Sequence, residues 1–135
     1  MQLTFEPQKP DDVPSIYELA GGEKAFFRLV KRFYEGVETD AVLRSLYPED
    51  LSEAERNTAL FLIQFCGGPA TYSAGRGHPR LRMRHYAFAI GQKERDAWVL
   101  HMGRAVDSEI ENADVRAYLH QYFEKTATFL INKPE

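Results

Sequence analysis

A short basic segment with one histidine is the part of this chain best suited to metal chemistry. Arginine alternates with apolar residues from Arg80 to Arg84, and His85 follows directly. An imidazole nitrogen is a good axial ligand for haem iron, and arginine can pair with the acidic tails of that macrocycle. The segment therefore fits a haem site, although a solvated basic loop with an ordinary histidine would carry the same residues.

Length and charge restrict what kind of protein this is. The chain has 135 residues, the size of one domain, and its net charge of -3 argues against nucleic acid as the main partner. No apolar run approaches the ~18 residues of a membrane span, and the amino terminus lacks the pattern of a secretory signal. We therefore expect a soluble cytoplasmic protein with no membrane partner. The single cysteine, Cys66, is interpreted as a small core residue.

Helices are predicted to position these residues. Apolar side chains recur every three or four positions from about Glu23 to Val37, which predicts one amphipathic helix. The S-x-x-E patterns at Ser15–Glu18 and Ser52–Glu55 predict capping boxes at the starts of two more helices. Gly67-Gly68-Pro69 predicts the end of the helix that begins near Ser52.

Two further long helices are expected in the second half of the chain, with apolar stripes over 97–106 and 115–130. Residues 70–77 show no period and predict a loop, and the segment after Pro79 has room for only two or three turns of helix. No window alternates as a strand would, so we predict an all-α fold with about four substantial helices and two or three short ones. Residues 1–14, with three prolines, are expected to form a flexible arm before one domain at 15–135.

Several motifs, taken in order, resemble those of truncated haemoglobins of group II, the O-type branch. They are Gly21-Gly22, Arg32-Phe33-Tyr34, and the stretches 47–51, 61–69, 71–73, 77–85 and 94–98. The resemblance covers nearly everything from Ile16 to Pro134. It implies a globin-like, two-over-two helical sandwich enclosing haem b, in which the helix that carries the iron ligand is reduced to about one turn behind a long loop.

The resemblance assigns His85 as the protein ligand of the iron. The other histidines are weaker candidates for that role: His101 and His120 lie in amphipathic helices without an arginine cluster, and His78 precedes a proline in a loop. Globin chemistry requires the opposite position on the iron to stay open or weakly occupied, and a single strong ligand meets that requirement.

Further contacts to the haem follow from the same resemblance. Arg84 and Tyr72 are expected to hold the propionates, through an ion pair and a phenolic hydrogen bond, unless they are surface residues packed on the loop. The remaining predicted contacts are Ala54, Asn57, Thr58, Phe61, His78, Leu81, Phe88 and Met102.

Three hydrogen-bond donors are expected around the bound gas. The resemblance places Tyr34, Tyr47 and Trp98 there, and donors aimed at bound dioxygen slow its release. Tyr47 is the most informative of them, because phenylalanine ordinarily occupies this globin position. The alternative is that Tyr34 and Trp98 are core aromatics whose polar ends are satisfied elsewhere.

Three residues of one helix depart from commoner globin patterns. Ala54 stands where most globins have a distal histidine, which predicts a wider entrance for small ligands. Thr58, one turn later, could use its hydroxyl on the helix backbone instead of the ligand, so its role stays open. Asn57 matches a position that often carries a base for a propionate, which leaves more of that role to Arg84 and Tyr72.

The leading functional hypothesis is a haem protein that binds dioxygen tightly, and NO and CO as well, at a five-coordinate iron. Nitric oxide dioxygenase or peroxidase-like turnover is left open. No Gly-rich dinucleotide motif is present in the sequence, so such turnover would need a separate reductase. The alternative is a haem-based oxygen carrier or sensor without turnover, although tight binding argues against bulk transport. A helical bundle without haem is the least favoured hypothesis, and the oligomeric state stays open.

Overall fold

The computed structural model describes residues 14–77, 80, 85 and 88–133. Over these residues the chain forms α1 (Ile16–Ala20), α2 (Glu23–Glu38), a 3-10 helix (Arg44–Leu46), α3 (Ser52–Phe65), α4 (Thr71–Arg76), α5 (Gln92–Glu109) and α6 (Ala113–Phe129). No described residue lies in a strand, which confirms the all-α prediction. In the described ranges, no helix is both long enough and apolar enough to span a membrane. Of the predicted amino-terminal arm, only Pro14 is described.

Two pairs of helices pack across one another. Helix α2 packs on α3, α5 packs on α6, and the two pairs meet chiefly between α2 and α5. The apolar stripe of α2 is almost wholly buried in this arrangement, with Phe26 and Leu29 fully enclosed. Burying a side chain of this size contributes about 1.5–3 kcal/mol relative to exposure, so the stripe predicted from the sequence accounts for the central position of α2.

The two predicted capping boxes have different outcomes. At α1 the prediction is confirmed: the Ser15 hydroxyl accepts from Glu18 N at 3.1 Å, and the Glu18 carboxylate accepts from Ser15 N at 2.9 Å. At α3 it is wrong, because Ser52 is already helical and the cap residue, Leu51, has no side-chain cap. Asp50 instead accepts from the backbone N–H and the hydroxyl of Ser52 at 2.9 and 2.7 Å. The Ser52 hydroxyl therefore bonds the nearby Asp50 carboxylate and does not cap the helix.

Residues 71–76 form helix α4, so the loop predicted for 70–77 is a second correction. A helix of 6 residues is unstable by itself, and contacts with α3 supply the missing stability. The Gln64 amide accepts from Ser73 N at 2.9 Å and donates to the Ser73 hydroxyl at 2.7 Å. Tyr72 is buried, with its ring edge-on to Phe61 at 5.6 Å between centroids. Periodicity within residues 70–77 could not reveal these contacts.

The other long helices end close to their predicted boundaries. Helix α6 begins at its cap residue Asn112, whose side chain accepts from Val115 N at 3.0 Å, and the stripe predicted to reach Leu130 ends one residue earlier. Helix α3 ends at Phe65 before the predicted Gly-Gly-Pro stop, with Cys66 as its C-cap residue. Cys66 is buried, as predicted, and this burial raises the pKa of its thiol to about 12.

Candidate functional site

A cavity of about 360 Å³ lies among α2, α3, α5 and α6. Its size is that of a small-molecule or cofactor site. The structure brings eleven of the fourteen predicted site residues to its walls: Tyr34, Tyr47, Ala54, Asn57, Thr58, Phe61, Tyr72, His85, Phe88, Trp98 and Met102. The other three, His78, Leu81 and Arg84, lie outside the described residues. These eleven residues come from six separate segments of the chain, which the fold brings together at one cavity.

Fourteen further lining residues were not predicted: Phe33, Leu43, Leu46, Pro48, Leu62, Arg76, Ile90, Glu94, Arg95, Tyr122, Phe123, Thr126, Ala127 and Leu130. Tyr122, Phe123 and Leu130 belong to an apolar stripe that the sequence did predict, but a stripe facing a cavity has the same period as one facing a packed core. Thr126 and Ala127 of α6 were not part of that predicted stripe. Leu43 is the cap residue of the 3-10 helix and Leu46 is its last residue, and a helix of 3 residues is too short to show a period. Arg76 ends the helix that was predicted as a loop.

A series of polar contacts runs along one wall of the cavity. The Tyr34 hydroxyl lies 3.0 Å from Thr58 Oγ1. The Tyr34 hydroxyl and the Trp98 indole both lie close enough to the Tyr47 hydroxyl to affect the pKa of Tyr47. The rings of Tyr34 and Tyr47 meet edge to face, with 5.5 Å between centroids. The three predicted donors therefore interact with one another at the cavity, and Thr58 directs its hydroxyl to Tyr34 rather than to the helix backbone.

Both tyrosines of this wall are neutral phenols. Burial raises the pKa of Tyr34 and that of Tyr47 above the usual value for tyrosine, since a tyrosinate would lose its hydration in the apolar wall. Hydrogen bonds from Thr58 and Trp98 oppose this shift without overcoming it. Each hydroxyl therefore keeps a proton that it can donate at physiological pH.

His85 is the histidine that lines the cavity among those the structure describes. His101 and His120 point to carboxylates away from it: His101 Nε2 lies 2.7 Å from Asp40 Oδ2, and His120 Nε2 lies 2.7 Å from Asp107 Oδ1. Neither His101 nor His120 lines the cavity, whereas His85 does.

The residues of the cavity fit a haem. The Arg76 guanidinium lies at the wall, 5.9 Å from the centroid of the Tyr72 ring, where a cation can meet an acidic tail. Thr126 Oγ1 is buried in the lining and has no hydrogen-bond partner among the described residues. It lies near enough to Tyr122 to lower the pKa of Tyr122, although burial raises that pKa by more. An unpaired buried hydroxyl costs about 1–3 kcal/mol, which favours a polar atom of a bound group beside it.

A hydrogen-bonded pair outside the cavity, His101 and Asp40, holds the turn that leads to the 3-10 helix. Besides its contact with His101, Asp40 accepts from Val42 N at 2.7 Å and from Leu43 N at 3.1 Å. The hydrogen bond from His101 holds the pKa of Asp40 below its usual value. Gly36 permits this approach, because a Cβ there would lie 2.4 Å from His101 Nδ1. Asp40 thus links α2, the turn and α5.

We expect Asp40→Asn to destabilise the protein near neutral pH and to have little effect in acid. Because the folded-state pKa is lowered, the carboxylate contributes stability above its unfolded pKa, near 4, and that contribution is lost as pH falls through the folded value. The expected loss near pH 7 is about 1 kcal/mol, the net value of one hydrogen bond. Urea unfolding of both proteins between pH 7 and pH 3 measures this loss of unfolding free energy.

The control is Asp107→Asn, which removes the carboxylate of an exposed pair and should change the unfolding free energy little. A difference in unfolding free energy for Asp40→Asn that does not vary with pH would contradict the role given to Asp40.

Comparison with known proteins identifies the family. Residues 15–132 match the family described as bacterial-like globin. The Group 2 truncated hemoglobin YjbI of Bacillus subtilis (strain 168) is 38% identical over 114 residues, covering 84% of this chain and 86% of that protein. A thermostable hemoglobin from the actinobacterium Thermobifida fusca has a TM-score of 0.88 and 50% identity, covering 90% of this chain and 100% of that chain. A truncated oxygen-avid haemoglobin from Bacillus subtilis has a TM-score of 0.84 and 37% identity, covering 88% of this chain and 100% of that one.

These similarities agree with the fold and with the cavity. The pairing of α2 with α3 and of α5 with α6 is the two-over-two arrangement of the truncated globins, and proteins of this family bind haem b. The predicted fold and cofactor are therefore confirmed. The chain belongs to the bacterial-like globin family, as an oxygen-binding haem globin of the group II truncated haemoglobins.

Proposed function

We propose that this globin binds dioxygen tightly, and other diatomic ligands such as NO and CO, on a haem whose protein ligand is His85. We further propose that it takes part in redox detoxification of nitric oxide or peroxide, with electrons from a separate reductase. The observation that carries the proposal is the series of contacts from Trp98 through Tyr47 and Tyr34 to Thr58 along the cavity wall.

Haem, when bound, supplies a redox-active iron that takes up small gases at a position left open by the protein. His85 supplies one imidazole nitrogen to that iron. Tyr72 and Arg84 remain the proposed partners of the propionates, and Arg76, at the cavity wall beside Tyr72, adds a further cation for the same task.

The polar wall is suited to hold a gas with a partial negative charge. In the proposed arrangement Trp98 donates to Tyr47 and Tyr47 donates to Tyr34, in keeping with the effect that each has on its neighbour's pKa. The Tyr47 proton could then turn to a ligand at the loss of a single hydrogen bond. Hydrogen bonds in such a series polarise one another, and an apolar surrounding strengthens each of them. Fixed donors in a low-dielectric site are the commonest means of stabilising charge that develops on a ligand.

The remaining lining residues are proposed as walls and entrance. Met102 and Phe61 are buried and would pack on the macrocycle, whereas Phe88 is 42% exposed and would lie at the edge of the site. Ala54 and Asn57 line the cavity from α3, where a small side chain such as alanine leaves room for a gas to enter. Their energetic role hardly differs from core packing.

Rapid mixing of the ferrous holoprotein tests the proposal. Dioxygen release, followed by displacement with CO, should be slow, in keeping with the oxygen-avid relative from Bacillus subtilis. With a reductant present, each nitric oxide consumed should use one dioxygen and one electron and yield one nitrate. Rapid release would contradict tight binding. Slow release without consumption of nitric oxide or peroxide would contradict the redox proposal and favour a carrier or sensor.

A further inference from the structure

We infer that Asn132 is a positioning residue for His85, holding the backbone from which the histidine extends. Asn132 lies three residues beyond the end of α6 and is far from His85 in sequence. The inference rests on the proposed function in one respect, namely that His85 is the iron ligand.

The side-chain amide of Asn132 binds the chain at three points. Its Nδ2 donates to His85 O at 3.2 Å and to Phe88 O at 2.7 Å. Its Oδ1 accepts from Ile90 N at 2.9 Å. One side chain thereby uses three of the four hydrogen bonds available to an amide on a single stretch of backbone that begins at the histidine.

These partners also fix which way the amide points. Both neighbours of its nitrogen are carbonyl oxygens, and the neighbour of its oxygen is an N–H group. Rotating the amide by half a turn would set its oxygen against two carbonyl oxygens, which is repulsive. A carboxylate at position 132 would have the same fault, since it has no proton to donate at neutral pH.

Asn132 bonds two residues that are also bonded to each other. Phe88 N donates to His85 O at 3.0 Å, and Asn132 Nδ2 donates to the carbonyl oxygens of both residues. Because a side chain's direction follows its own backbone, the position of the His85 ring depends on how the His85 carbonyl is held. Groups that orient a metal ligand in this way commonly change metal affinity by about 10–100-fold when removed.

Backbone pairing ties the same segment to the end of the chain. Asn132 N and Lys133 N both donate to Ile90 O, at 2.8 and 3.2 Å. Lys133 lies over Gly91, where its Cε would be 2.7 Å from any added Cβ, and its ammonium is 3.7 Å from a Glu94 carboxylate oxygen. Asn132 is therefore itself held in place and is fit to act as an anchor.

The test uses the holoprotein and the variant Asn132→Asp, which keeps an acceptor for Ile90 N but loses both donors. We expect the iron–histidine stretching band of the ferrous, ligand-free protein to shift in the resonance Raman spectrum. We also expect haem transfer to apomyoglobin to be at least about ten-fold faster. Asn132→Ala, which adds no charge, provides the same test if the aspartate variant does not fold.

Asn112→Ala is the matched control, because it removes the cap of α6 without touching the His85 segment. It should lower stability while leaving the band in place. An unshifted band in both Asn132 variants, or an equal shift in Asn112→Ala, would overturn the inference. His85→Gly distinguishes a failure of the positioning role from a failure of the proposed function. If the iron–histidine band survives in His85→Gly, the assignment of His85 as the ligand fails. If the band is lost in His85→Gly but is unshifted in the Asn132 variants, only the positioning role of Asn132 fails.

Discussion

Replacing His85 with glycine is expected to abolish the iron–histidine band and to speed haem loss by more than the ~10–100-fold typical of residues that merely orient a ligand. The reason is that His85 is the histidine that lines the cavity among the residues that the structure describes. Adding imidazole to the variant should restore the band, because the space of the missing ring can accept it. Resonance Raman and optical spectra, recorded with and without imidazole, measure both effects.

The control for this variant is His120→Ala. His120 pairs with Asp107 on the surface and is not part of the cavity wall, so its removal should leave the spectrum unchanged. A normal iron–histidine band in His85→Gly without added imidazole would contradict the assignment of the ligand, and His78, which lies outside the described residues, would then be the next candidate.

Tyr47→Phe is expected to release dioxygen roughly ten- to a hundred-fold faster than the unchanged protein. A hydrogen bond to a charged group contributes about 1.5–3 kcal/mol, and each ~1.4 kcal/mol corresponds to a factor of ten. The phenyl ring preserves the edge-to-face contact with Tyr34, so the change removes the hydroxyl and little else. Stopped-flow release of dioxygen, with CO release measured beside it, checks the prediction; CO is less polar and should be affected less.

Tyr118→Phe is the matched control for Tyr47→Phe. Tyr118 is partly buried on α6 but does not line the cavity, so dioxygen release should not change. An unchanged rate in Tyr47→Phe would mean that its proton stays on Tyr34 and never reaches the ligand. Equal acceleration of dioxygen and CO release would mean that the variant opened the cavity rather than removed a donor.

Sequence reasoning located the four long helices from the period of their apolar residues. His85, Tyr34, Tyr47 and Trp98 were predicted from the family resemblance, and the structure places all four at the cavity wall, while their roles stay predictions. The errors at Ser52 and at residues 70–77 have one cause: a neighbour that periodicity does not register, Asp50 in the first case and Gln64 in the second, decides the local structure.

What the sequence could not show is which buried faces enclose space. Leu130 was predicted as part of an apolar stripe and Thr126 was not singled out, because the contact of either residue with the cavity depends on how α6 packs against α3 and α5. Asn132 was missed for a related reason. The Asn132 side chain bonds to backbone atoms, which every residue type carries. The identity of the residue at position 85 therefore gives no sign in the sequence that it is bonded to position 132.

The burial of Cys66 affects how readily the thiol of this protein is oxidised. Burial raises the pKa of the Cys66 thiol to about 12, so the group is a thiol at pH 7, and the thiolate is the form that peroxide and nitrosating agents attack. The single sulfhydryl thus lies beyond reach of the oxidants proposed for the neighbouring cavity. A thiol reagent applied to the intact protein would therefore label Cys66 only when the end of α3 opens, which makes this cysteine a built-in reporter of local unfolding.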